Sequence, residues 1–255
     1  METRTSVLVT RPAGQGQALC AGLEQLGFTV HQQPLLMLEP LEQLSARSRQ
    51  HLLDLEIYQH IIFISANAVR FGLSCMDDYW PQLPVGLNWY AIGSSTAALL
   101  AERGLSPITP GPEMSSEGLL AVPELAQVES ERVLIVKGEG GRDTLRKTLS
   151  GRGARVDELA CYRRSCPSLP AGQLAANLQD WGIQLILISS GEGLHNLLAL
   201  LSTEESTKFR NIGLVVPSVR VEKMAREAGF TLVLRTPNAS DGAVLQFLQQ
   251  WRSGD

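Results

Sequence analysis

Short apolar runs recur along the chain, each followed by a small polar turn and then by apolar residues at helical spacing. Val7-Leu8-Val9 leads through a glycine loop to Leu19 and Leu23, one buried stripe at i, i+4. Val133-Leu134-Ile135 leads in the same way to Leu145 and Leu149. Gly27 and Gly153 follow as helix stops, since glycine takes a left-handed conformation without steric penalty. The pattern predicts two copies of a strand, glycine loop, helix, strand segment, Ser6 to Val30 and Arg132 to Val156.

Three further segment types also occur twice. His60 to Leu73 matches Gln184 to Leu198, with Ser65 set against Ser189. Tyr90 to Leu105 matches Leu214 to Phe230, with Ser94 set against Ser218. Thr109-Pro110 leads to a helix capped at Ser116-Glu117-Gly118, as Thr236-Pro237 leads to Ser240-Asp241-Gly242. Apolar strands separated by helices indicate parallel sheets covered on both faces. The expected fold is α/β: two similar flavodoxin-like, doubly wound parallel-sheet lobes joined by a two-stranded ladder.

Two chain paths fit this repeat. Either each half folds alone, or the first segment joins the last three and the central stretch closes a permuted lobe. The connectors favour the second path. Residues 29–41 and 156–169 are extended and proline-punctuated, and at ~3.3 Å per residue each spans roughly 40 Å. They are expected to be inter-lobe connecting strands. Lobe one is then the discontinuous pair 1–38 plus 169–255, and lobe two is the inserted stretch 42–156.

Composition narrows the function. The 255 residues are 44% hydrophobic and 19% charged, enough apolar surface for two cores. The start, Met1-Glu2-Thr3-Arg4, runs directly into a strand and no run of 18 apolar residues occurs, so neither a signal peptide nor a membrane span is expected. A net charge of −4 argues against nucleic acid as a partner. Cys20, Cys75, Cys161 and Cys166 form no Cys-x-x-Cys pair, which fits a reduced, cytoplasmic setting, and the four histidines show no ligand spacing. No metal and no cofactor are expected.

In an open parallel sheet a ligand sits beyond the carboxyl ends of the strands, where strand order switches. For order 2-1-3-4-5 this places Thr10, Arg11 and Pro12 beside Ser189, Ser190 and Gly191 in one lobe. In the other it places Lys137, Gly138, Gly141 and Arg142 beside Ser65 and Asn67. Ser94 and Thr96 join one site, Ser218 and Arg220 the other. Small residues, hydroxyls and helix N-termini suit a carboxylate or phosphate ligand. Each has a plainer reading: serine and threonine after a strand are commonly helix caps, Arg11, Lys137, Arg142 and Arg220 surface charges, Cys20 and Cys161 small core residues. The dinucleotide fingerprint fails at its third glycine, and neither a phosphate-binding Gly-Lys-Ser/Thr loop nor a serine nucleophile elbow occurs.

With those residues in place, the chain resembles the uroporphyrinogen-III synthase family along nearly its whole length. The resemblance is carried by Val9-Thr10-Arg11-Pro12, Phe63-Ile64-Ser65-Ala66-Asn67-Ala68-Val69, Ala91-Ile92-Gly93 with Thr96, and Ser116-Glu117-Gly118-Leu119-Leu120. Lys137-Gly138-Glu139-Gly140-Gly141-Arg142, Tyr162-Arg163-Arg164 and Ser218-x-Arg220 complete it. It implies the permuted two-lobe fold and a cytoplasmic monomer in tetrapyrrole and heme biosynthesis, with a transient contact to the preceding pathway enzyme. It also implies a hydro-lyase reaction in the cleft between the lobes, cyclising hydroxymethylbilane to uroporphyrinogen III with inversion of ring D and loss of water. Tyr162 matches a family tyrosine that assists departure of the hydroxyl, and a hinge tyrosine packed between lobes is the plainer reading. Ser65, Thr96, Ser189 and Ser218 match positions that line the substrate. Val219 stands where relatives often carry a second hydroxyl. A two-lobed small-anion binding or sensor protein without catalysis is the alternative.

Overall fold

The computed structural model describes residues 4–141 and 143–254. The chain opens with β1 (Ser6–Val9), α1 (Gln17–Gln25) and β2 (Thr29–Gln32). Its middle runs through β3 (Met37–Pro40), α2 (Ala46–Leu53), β4 (His60–Phe63), α3 (Ala66–Asp77), β5 (Asn88–Ala91) and α4 (Ser94–Glu102). It continues with β6 (Pro107–Ile108), α5 (Ser116–Leu120), β7 (Arg132–Gly138), α6 (Thr144–Gly151) and β8 (Arg155–Ser165). The last stretch holds α7 (Gln173–Asp180), β9 (Leu185–Leu187), α8 (Gly191–Leu200), α9 (Thr203–Lys208), β10 (Gly213–Val216), α10 (Val219–Glu227), β11 (Val233–Arg235) and α11 (Asp241–Ser253).

These elements form two compact units, the residues up to Met37 with those from Ser165 onward, and Leu38–Arg164. The first unit has a sheet ordered β11-β10-β9-β1-β2, its ladders parallel. The second is ordered β3-β8-β7-β4-β5-β6. Without β3 it repeats the first sheet strand for strand, in the order 2-1-3-4-5. Val7 pairs with Leu185, and the equivalent Val133 pairs with His60. β1 therefore finds its partner near the far end of the chain, and β4 has β7 and β5 as neighbours.

Alternation along each strand sends successive side chains to opposite faces. In the first unit Val7, Val9, Leu185 and Leu187 pack under α1 and α11 through Leu19, Leu23, Val244 and Leu248. Leu8, Ile186, Leu214 and Val216 pack under α7, α8 and α10. In the second unit Ile61, Phe63, Leu134 and Val136 meet Ala68, Val69, Leu73 and Met76 of α3. Val133 and Ile135 meet Leu119 of α5 with Leu145 and Leu149 of α6. Truncating any of these leucines to alanine is worth about 2–5 kcal/mol. Gly27 and Gly153 end α1 and α6 with φ of +84° and +87°.

The stretch 29–41 departs from the single connecting strand expected of it. Thr29–Gln32 is the edge of the first sheet and Met37–Pro40 the edge of the second, with a break across Gln33–Leu36. Pro34 has no N–H to give to a ladder, which ends the first strand. On the return path β8 runs unbroken to Ser165, just before the prolines at 167 and 170.

Candidate functional site

In the second unit the carboxyl ends of β7, β4 and β5 carry most of the expected residues. Ser65 follows β4 and caps α3, its Oγ accepting from the Ala68 N–H at 3.1 Å. The same oxygen lies 3.3 Å from the phenolic oxygen of Tyr162 on β8, and either hydroxyl can donate. Tyr162 is 4% exposed. Its ring stacks on Phe71 with centroids 5.1 Å apart and planes 22° from parallel. Gly138 also lies close against the ring: a β-carbon there would come within 2.7 Å of Tyr162 Cζ.

A bulge delivers this tyrosine. Lys137 pairs with Ala160 but Gly138 pairs with Tyr162, so Cys161 is an extra residue in β8. Strict alternation predicts Tyr162 and Cys161 on opposite faces. Both are instead buried in one core cluster, with the Cys161 thiol donating to the Lys137 carbonyl at 3.3 Å. The extra residue resets the period, so the alternation argument fails at this point. Burial, with Cys75 nearby, pushes the Cys161 thiol up to about 12, which makes it a core residue and not a nucleophile.

Lys137 is 7% exposed, and its Nζ donates to Glu158 Oε1 at 3.0 Å. Both line a cavity of about 240 Å³ whose other walls include Ile64, Ile92, Leu145 and Arg146. Gly140 and Gly141 both have positive φ in the exposed loop beyond β7, while Arg142 lies outside the described residues. Asn67 sits in the first turn of α3, accepting from Arg70 at 3.2 Å. Ser94 is exposed at the start of α4, and Thr96, two residues on, is buried.

The first unit gathers the remaining residues. Thr10 is buried and its hydroxyl donates to the Leu187 carbonyl at 2.6 Å, tying the end of β1 to β9. Arg11 is not a solvated charge. It donates to the Ala239 carbonyl at 2.6 Å and makes a 2.6 Å ion contact with Asp241 at the start of α11. Ser190 caps α8 through the Gly193 N–H, and Ser218 caps α10 through the Val221 N–H. Ser189 is half-buried just before the α8 cap. Gly191 is buried, and a β-carbon on it would stand 3.1 Å from the guanidinium of the exposed Arg220.

Sheet register corrects two of the pairings between copies, and a helix cap corrects a third. Leu185 of β9 occupies the place of His60 of β4, so the equivalent of Ser65 is Ser190 and not Ser189. Gly213 likewise occupies the place of Asn88, so Ser218 corresponds to Gly93, the residue that precedes α4. The cap of α5 is Ser115 rather than Ser116, its Oγ accepting from the Gly118 N–H at 2.9 Å and matching Ser240 on α11. Adjacent serines hide a shift of one residue.

Glu158 and Arg146 line the second unit's cavity and Asp241 meets Arg11, and none was picked from sequence as a site residue. Alternation along β8 offered a signal for Glu158, two residues before the partner of Lys137. Among the described residues no cluster of His, Cys, Asp or Glu is placed to hold a metal ion, and no helix is long and apolar enough to cross a membrane.

Residues 17–246 match the family model described as uroporphyrinogen-III synthase HemD. The chain is 34% identical over 249 residues to the uroporphyrinogen-III synthase of Escherichia coli K12, covering 96% of this chain and 100% of that one. It is 32% identical over 247 residues to the enzyme of the same name from Salmonella typhimurium LT2, with 96% and 100% covered. Among solved structures, a mutant uroporphyrinogen III synthase from the extreme thermophile Thermus thermophilus superposes with a TM-score of 0.62 at 17% identity, over 98% of this chain and all of the other. The Helicobacter pylori 26695 synthetase gives 0.62 at 16%, with the same coverage. The two solved structures bear on the fold alone; the family match over most of the chain and the close relatives place this chain in the uroporphyrinogen-III synthase family.

Proposed function

We propose that the chain cyclises hydroxymethylbilane to uroporphyrinogen III, inverting ring D and releasing water, as a hydro-lyase acting as a cytoplasmic monomer. The observation that carries this reading is the family match across residues 17–246. The chemistry at the strand ends is consistent with it. Departure of the ring A hydroxyl needs a proton donor, and Tyr162 and Ser65 present two adjacent hydroxyls. Ser65 already accepts from Ala68, so its own proton is free to turn toward the Tyr162 oxygen, which leaves the phenol proton for the leaving group. Giving up that proton leaves a phenolate, which the Ser65 hydroxyl is placed to stabilise by donating to it.

The larger task is orientation. Ring D attacks through its substituted carbon, and unaided closure occurs at the free carbon instead. Holding the reactive ends in the productive geometry is worth several kcal/mol. Ser190, Gly191, Ser218 and Arg220 in one unit, and Asn67, Ser94, Thr96, Gly138, Gly141 and Arg142 in the other, are the proposed binding positions. Thr10 and Arg11 are proposed to shape the first unit's strand ends.

Incubation with freshly prepared hydroxymethylbilane, followed by oxidation and separation of porphyrin isomers, tests the reading. The expected product is type III. Type I at the spontaneous rate overturns it.

A further inference from the structure

The two units carry the same pocket in two different states. Arg11 follows Val7 as Lys137 follows Val133, so the two basic residues are equivalent, and Asp241 after its cap Ser240 is equivalent to Ser116 after its cap Ser115. In the first unit Arg11 closes on Asp241 at 2.6 Å, and the space that Arg11 lines is about 20 Å³. In the second unit serine replaces the aspartate, and the corresponding cavity is about 240 Å³.

We propose that this cavity receives a carboxylate-bearing arm of the substrate, which takes the place that Asp241 fills in the sister unit. The proposal rests on the functional reading above, whose substrate is a polycarboxylate. Lys137 and Arg146 both line the cavity, and Glu158 is the single carboxylate among the lining residues. Arg146 is also held by Asp143 at 3.3 Å, so Lys137 is the cation that an incoming carboxylate would meet. Lys137 has three donors, of which Glu158 receives one at 3.0 Å. The apolar walls, Ile64, Ile92 and Leu145, suit the methylene part of such an arm and exclude water from the ion contact. A buried cation held by one partly exposed carboxylate gains from a second anion, whereas Arg11 is already served internally.

The decisive variant transplants the sister arrangement. Ser116→Asp places a carboxylate where Asp241 stands in the first unit, and it is expected to close on Lys137. KM for hydroxymethylbilane should rise at least tenfold, with kcat within threefold and Tm unchanged or higher. Lys137→Met should raise KM similarly, and Ser150→Asp, which adds the same charge on the exposed face of α6, should leave KM unchanged. Wild-type KM in Ser116→Asp overturns the proposal while leaving the functional reading intact. An NMR titration with 3-(2-carboxyethyl)pyrrole judges the pocket without turnover. Saturable shifts at Lys137 and Ser115–Glu117, lost in Ser116→Asp, uphold it even in a chain inactive on hydroxymethylbilane. Their absence in the wild type rejects it.

Discussion

The phenolic oxygen of Tyr162 lies 3.3 Å from the hydroxyl of Ser65, with its ring stacked on Phe71 and close against Gly138. The two residues come from different ends of the second unit's sequence, and the bulge at Cys161 brings them into reach.

Tyr162→Phe keeps the ring stacked and removes only the hydroxyl. Turnover of hydroxymethylbilane should fall ~100-fold or more, the usual worth of general-acid assistance. The melting temperature should barely move, and type III should remain the product of the residual activity. Near-normal turnover would make Tyr162 a packing residue.

Ser65→Ala should cost about 1 kcal/mol of stability through the lost cap of α3. Its binding loss should be of similar size, one hydrogen bond's worth. Denaturant midpoints and KM check the two parts separately, and a loss of several kcal/mol in activity would place Ser65 in the chemistry.

Gly138→Ala drives a methyl group into the Tyr162 ring, with 2.7 Å to Cζ. The ring must shift, which disturbs its contact with Ser65, so kcat should fall at least tenfold, with about 1–3 kcal/mol of destabilisation from overpacking. A wild-type kcat would show that the position of the ring is immaterial.

Gly72→Ala is a purely structural control on α3. Its added β-carbon would stand 2.4 Å from Val136 Cγ1, a β-branched side chain with little rotameric freedom. Urea unfolding should register a loss of about 1–3 kcal/mol, and an unchanged midpoint would contradict the close packing of α3 on β7.

The pH dependence of stability should centre on His51. Burial lowers its pKa against an opposing pull from Asp157. Burial also disfavours the Asp157 carboxylate, but hydrogen bonds from Arg47 and Tyr58, together with His51, outweigh it and hold that carboxyl below its usual range. Tyr58 donates to Asp157, so His51 Nδ1–H donates to Tyr58, and the buried Nε2 is left without a hydrogen-bond partner among the described residues. Both groups are depressed in the fold, so each contributes stability above its unfolded pKa and loses it as pH falls. For His51 the loss begins near pH ~6.5, and for Asp157 near ~3.9. Thermal melts from pH 7.5 to 5 should show a decline that His51→Phe flattens, and an unchanged slope in that variant would exclude His51.

The duplicated strand and helix pattern was legible because burial on both sheet faces writes short unbroken apolar runs into the sequence. The long extended stretches at 29–41 and 156–169 favoured the path in which β1 joins the later strands, and the pairing of Val7 with Leu185 follows that path. What escaped sequence reading depends on single residues. Ser65 and Ser189 align as text, but hydrogen-bond register makes Ser190 the cap. The bulge in β8 has no signature in Ala160-Cys161-Tyr162, yet it decides which way the tyrosine faces. The partners of Lys137 and Arg11 were invisible for a related reason: ion pairs form between segments distant along the chain, and Asp241 looks like an ordinary helix start.

The pairing of β1 with β9 also bears on biogenesis. Ser6 donates to Gln184 across 178 residues, and β1 sits inside its sheet rather than at an edge. During synthesis the first strand leaves the ribosome long before the strand beside it exists. The stretch from Leu38 to Arg164 has all its strands in hand by the time β8 emerges, so it should acquire protease resistance first. The N-terminal segment, with Val7-Leu8-Val9 uncovered, then waits as an aggregation-prone tail until β9 and β10 arrive. Ribosome-bound chains stalled beyond Arg164 should therefore yield a protected central fragment and a cleavable amino terminus.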